Sequence, residues 1–142
     1  MSTDNNKIIE FFKNDRFVMH NGIKIVKAEP GYAVAQVEIN DNHLNAVDMV
    51  QGGVIFTLAD FAFAVASNAK GLVTVSVNST ISYIKSSKGK VLTAEAKEVN
   101  SQKKLCTYNV DVFDENKDLI AKVTATGYIK NIPIDFNKES NT

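Results

Sequence analysis

Residues 51–71, QGGVIFTLADFAFAVASNAKG, decide the fold. Gly52-Gly53 opens a helix that runs to about Ala69, and Lys70-Gly71 ends it. Between Gln51 and Lys70 the only ionisable residue is Asp60. Apolar residues occupy nearly every face: Val54, Ile55, Phe56, Leu58, Ala59, Phe61, Ala62, Phe63, Ala64, Val65 and Ala66. A helix that is apolar all round is a buried helix. In a chain of 142 residues, something must wrap it.

The flanking sequence supplies the wrapper. Downstream lie four strand-like runs rich in Val, Thr, Ile and Tyr: Leu72–Ile84, Val91–Asn100, Lys104–Phe113 and Leu119–Ile129. Lys88-Gly89, Ser101-Gln102 and Glu115-Asn116 mark the turns between them. Short links between consecutive strands predict an antiparallel meander. Upstream, a strand from Ile23 turns at Pro30-Gly31 and returns over Tyr32 to Ile39, with Ala33, Ala35, Val37 and Ile39 on one face. A polar loop, residues 40–51, joins this hairpin to the long helix.

Residues 5–20 read as an amphipathic helix, with Asp4 or Asn5 as its cap and Asn21-Gly22 as its stop. The tail from Pro133 to Thr142 is polar and is expected to fray. The expected fold class is α+β, with a curved antiparallel sheet around one long central helix, in a single domain over residues 1–142.

Composition narrows the function. Hydrophobic residues make up 44% of the chain, enough for a packed core. The formal net charge is zero, which offers no concentrated positive field for nucleic acid or an anionic membrane. Cys106 is the only cysteine, so no disulfide can form within the chain. His20 and His43 are too few and too far apart to suggest a zinc site. No basic, apolar leader and no bilayer-length apolar stretch stands out, which makes the cytoplasm the expected location.

Asp60 demands an explanation, because a charge on a buried helix is costly unless it is paired or faces a cavity. It lies either on a narrow solvent-facing stripe or in a pocket where a raised pKa suits a nucleophile or general base. The Gly52-Gly53 pair is either a tight entry turn or an uncovered helix N-terminus. There, free N–H groups and the helix dipole would stabilise an oxyanion. The preceding loop holds His43, Asn45, Asp48 and Gln51, with His43 expected in solvent. Cys106 sits in an apolar strand pattern and reads as a structural thiol.

From Asn45 to Asn68 the chain, NAVDMVQGGVIFTLADFAFAVASN, resembles the phenylacetate-pathway (PaaI-type) branch of the hotdog-fold thioesterases. That family shows an Asn, then His-Gly-Gly about six residues on, then an apolar helix containing Leu-Ala-Asp. Asn45, Gly52-Gly53 and Leu58-Ala59-Asp60 match it. Ile81–Lys85, Gly89–Ala96 and Tyr108–Phe113 resemble its later strands.

The resemblance implies a thioester substrate such as acyl-CoA and no metal or redox cofactor. It implies catalysis by Asp60, with the Gly53 amide polarising the carbonyl and Gly52 beside it in the substrate site. Asn45 would help hold the substrate or the attacking water, and Lys85, Ser86 and Lys88 would approach coenzyme A phosphates. The chain departs from the pattern at Gln51, where the family usually has His; glutamine can donate and accept hydrogen bonds, and so help Asn45 orient the reactants, but cannot shuttle a proton near neutral pH. Asp48 stands where many relatives carry glycine.

Two other readings remain open from sequence. One is a non-catalytic acyl-CoA-binding module that senses its ligand, which the Gln51 substitution favours. The other, a dehydratase or hydratase on the same fold, would want a His in the site, and none lies on the central helix. Helix geometry adds a constraint on assembly. Gly53 and Asp60, seven residues apart, are separated by roughly 10 Å along the axis, whereas attack needs about 3 Å. A homodimer with shared sites, or a dimer of dimers, is therefore expected.

Overall fold

The computed structural model describes residues 3–137. Helix α1 spans Thr3–Phe12 and α2 spans Arg16–His20. Strands β1 (Ile23–Glu29) and β2 (Tyr32–Glu38) form the expected hairpin, and Gly31 at its turn adopts φ +80°, a left-handed conformation that glycine takes without strain. The central helix α3 spans Gly52–Asn68, and β3 (Leu72–Tyr83), β4 (Val91–Ser101), β5 (Leu105–Asp114) and β6 (Leu119–Pro133) follow.

Within the described residues, six strands make one antiparallel sheet in the order β1-β2-β4-β5-β6-β3. Its concave face closes on α3. Alternate residues point inward and are buried: Ala33, Ala35 and Val37 on β2, Leu92, Ala94 and Ala96 on β4, Tyr108, Val110 and Val112 on β5. The short alanines on β2 and β4 let α3 come close with its own Ala59, Ala62 and Ala66, while Phe61 and Phe63 fill the flanks. The Phe63 ring meets Tyr108 edge-on at 5.4 Å.

The structure corrects the sequence reading in several places. Strand β3 does not pair with β4, as a meander requires, but crosses to the far edge and pairs with β6. Seven residues, 84–90, separate β3 from β4, enough for a crossing. Ser76, Asn78, Thr80 and Ser82 give β3 a polar alternation suited to an edge. The helix expected over 5–20 is two helices, broken where Asp15 accepts a hydrogen bond from the Val18 amide at 3.2 Å and caps α2. Asp4 and Asn5 lie inside α1 rather than capping it.

The tail is ordered further than expected. β6 runs to Pro133, the Ile134 amide donates to the Gly71 carbonyl at 2.9 Å, and Phe136 packs edge-on against Phe11. The rest of the predicted frayed tail, residues 138–142, lies outside the described residues.

The sheet does not wrap α3 completely. Gly53 is exposed, and Phe56, Thr57, Asp60 and Ala64 are half-buried. Their spacing of three and four residues places them on one side of the helix as a continuous uncovered stripe.

Candidate active site

The stripe begins at the N-terminus of α3. Gln51 holds an extended conformation as N-cap, and its backbone carbonyl accepts from the Val54 and Ile55 amides at 3.0 and 3.4 Å. Its side-chain Oε1 folds back and accepts from the Gly53 amide. The N–H expected to polarise a carbonyl is thus held by the neighbouring side chain.

The loop before the helix is built by its own polar side chains. Asn45 Oδ1 accepts from the Val47 and Met49 amides at 3.0 and 3.1 Å. This leaves the Asn45 amide NH₂ as the part free to meet a ligand. Asp48 sits at φ +61°, in the left-handed region, which explains why glycine suits this position. His43, expected in solvent, is only 2% exposed. Its Nδ1 accepts from the Asn40 amide at 3.1 Å, and its Nε2 lies 2.8 Å from the Asn21 carbonyl. His43 is a strut: its carbonyl accepts from the Gln51 amide at 2.9 Å and so sets the helix entry.

Loop 45–50, the start of α3 and the end of β3 enclose an open cleft of about 380 Å³. Asn45, Gly52, Lys85 and Ser86 line it, with Val47, Met49 and Tyr83. Lys88 is not among the lining residues and stands exposed on the same loop. Lys85 Nζ pairs with Asp118 Oδ2 at 2.8 Å, an exposed contact that holds its pKa above the usual lysine range. The buried Ser87 carbonyl accepts from the Val50 amide at 3.0 Å, tying this loop to the helix entry.

Tyr83 is a site residue that sequence reasoning missed. It is 53% exposed, and its hydroxyl donates to the Gly52 carbonyl at 3.2 Å. The available signal was an aromatic at the mouth-side end of a polar strand, which is weak without the fold.

Asp60 is not in this cleft. It stands about two turns further along the same stripe. Burial pushes its carboxyl pKa up, and the nearby charge of Asp15, the cap of α2, pushes it further. Among the described residues no three His, Cys, Asp or Glu side chains converge to hold a metal ion. Cys106 is buried, and that burial raises its thiol pKa.

The Thioesterase superfamily profile matches residues 48–121, which span the helix entry, α3, β3, β4, β5 and the start of β6. A protein of Archaeoglobus fulgidus is 39% identical over 82% of this chain and 77% of its own length. The chain belongs to the thioesterase superfamily. Within it, the PaaI-type resemblance holds: the acyl-coenzyme A thioesterase PaaI of Escherichia coli is 31% identical over 78% of this chain and 79% of its own. The solved structure of that E. coli PaaI protein superposes with a TM-score of 0.86, covering 94% of this chain and 100% of that one at 25% identity. The smu.793 protein of Streptococcus mutans, solved bound to acetyl CoA, superposes with a TM-score of 0.75 at 28% identity, over 79% of this chain and 91% of that one. The architecture is the hotdog fold, and the protein is a thioester hydrolase. No described helix is long and apolar enough to cross a membrane.

Proposed function

We propose that this thioesterase hydrolyses acyl-CoA thioesters in the cytoplasm, with Asp60 as the catalytic carboxylate and the Gly53 amide as oxyanion donor. One observation carries the reading: α3 sets an exposed Gly53, its amide covered by the Gln51 side chain, and a lone carboxylate of raised pKa on one uncovered stripe. The acetyl CoA held by the S. mutans relative supports the substrate class. The thioester carbonyl oxygen takes the Gly53 N–H, where the helix dipole favours developing negative charge.

Either of two steps follows. Asp60 takes a proton from a water that attacks the carbonyl carbon, or it attacks that carbon itself and water then opens the resulting anhydride. In both, the tetrahedral centre collapses, the C–S bond breaks and the thiolate leaves to be protonated. Asn45 orients the reactants beside Gly52, whereas Gln51, expected to share that part, lies folded on the Gly53 amide. Lys85, Ser86 and Lys88 serve the CoA phosphates, for which Lys85 must exchange its Asp118 partner. No step calls for a metal or redox group.

The stripe calls for a second copy of the chain. Asp60 is too far from its own Gly53 to reach one carbonyl carbon, whereas a two-fold partner can bring its Asp60 opposite. Strand β3 supports this assembly. It is a free edge of 12 residues with Val75 and Val77 exposed, a surface that invites pairing.

The test is a hydrolysis screen of short, long and aryl acyl-CoA thioesters, read by thiol release. Turnover of at least one series is expected. Tight binding without thiol release would replace this reading with that of a ligand-sensing module.

The rate should also report on Asp60's surroundings. A carboxylate base is lost as pH falls through its pKa, so the acid limb should lie above that of an ordinary Asp. Asp15→Asn keeps a capping side chain but removes the charge, and should move the limb to lower pH. A pH profile of kcat/KM that does not shift in this variant would remove Asp15 from the account. For stability the sign is opposite to that of a salt-bridged acid. Asp60's raised pKa costs stability above its folded value, and that cost fades as pH falls through it.

A further inference from the structure

We propose that Gln51 is a displaceable cap, which competes with the substrate's carbonyl for the Gly53 N–H; this rests on the oxyanion role given to Gly53 above. Helix N-caps are ordinarily short residues, Ser, Thr, Asp or Asn. Gln51 reaches the same target with a longer side chain, its Oε1 accepting from the amide two residues on. The Val54 and Ile55 amides already bond to the Gln51 backbone carbonyl. That leaves the Gly52 and Gly53 amides of the first turn, and of these two Gly53 N–H, on an exposed residue and given the oxyanion role, is the one an outside acceptor must win from Gln51.

The glycine is part of the device. A Cβ at position 53 would stand 2.7 Å from Oε1, so a larger residue would push the glutamine off its amide. The competition is one carbonyl oxygen for another, between neutral groups, and a single side-chain rotation releases the cap. A binding substrate must turn Gln51 aside, which weakens binding of substrate and transition state alike. The signature of such an effect is on KM rather than kcat.

Two variants of opposite sign test this. Gln51→Glu keeps the shape but places a carboxylate on the helix N-terminus, a stronger, charge-assisted acceptor. Gln51→Ala removes the acceptor. In substrate-free protein, the Gly53 amide proton should move upfield and exchange faster in Gln51→Ala, and should track the titration of the carboxyl in Gln51→Glu. An amide signal indifferent to residue 51 would overturn the cap, whatever the protein's activity.

With the acyl-CoA turned over fastest in the screen, KM should rise about tenfold in Gln51→Glu at pH 8, converge on wild type as the carboxyl protonates, and fall below wild type in Gln51→Ala. The Glu penalty should persist with the corresponding acyl-pantetheine, which has no phosphates. A penalty confined to acyl-CoA would mean simple charge repulsion and overturn the competition, as would an unchanged or raised KM in Gln51→Ala. If the wild type hydrolyses no thioester, the functional reading and the competition fall together, and the amide measurement alone decides whether the cap exists.

Discussion

Asp60→Asn keeps the fold and lowers kcat/KM by about a hundredfold or more, the scale on which general-base and nucleophilic groups contribute. The carboxyl is half-buried beside the uncovered stripe of α3, and nothing in its surroundings favours its ionised form: burial and the Asp15 charge both oppose it. Stability alone would select against such a group. Asparagine has the same shape, so the packing around position 60 is retained, and the melting temperature should hold or rise. The measurement is kcat/KM on the best thioester beside a thermal melt. A folded variant working at the wild-type rate would end Asp60's role and, with it, the mechanism proposed for α3.

Mixing two dead variants restores activity, if the site is shared. Gly53→Val places a branched side chain over the amide and displaces the Gln51 oxygen that stands 2.7 Å from its Cβ. It should be inactive by itself, as should Asp60→Asn. Co-refolded in equal amounts, about half the dimers are mixed. Each mixed dimer carries one site with both lesions and one with neither. Activity should recover to roughly a quarter of wild type, from near zero in either parent. Native mass spectrometry shows whether mixed dimers formed. Mixed dimers without activity would put Gly53 and Asp60 in a single-chain site. The roughly 10 Å between them along α3 would then need another explanation.

Both experiments turn on one helix that was legible before any coordinates. The run of apolar residues from Val54 to Ala66 with Asp60 as its lone charge, opened by two glycines, signals a buried helix with one anomalous residue. Such signals are local: a period, a cap, a stop. The hairpin at Pro30-Gly31 was legible for the same reason, as were the strand runs, whose ends differ by only a few residues from those found. The cleft was partly legible. Asn45, Gly52, Lys85 and Ser86 do line one cavity, but Tyr83 joins them only because the sheet brings the end of β3 over the helix entry.

By itself, then, the sequence determined the element types, the α+β class, the wrapped helix and the position of its carboxylate. These follow from side-chain periodicity and turn chemistry within short windows. Tertiary structure decided the rest. It sent β3 to the far edge of the sheet, because strand pairing depends on which edges are free once the whole sheet has formed, not on adjacency in the chain. It buried His43 as a strut between residues 21, 40 and 51, contacts that no local pattern encodes. It left one side of α3 uncovered, since six strands close around most of the helix but not all of it. And it left the N-terminus of α3 at the surface, where Gln51 caps Gly53 from an exposed position instead of packing into the core.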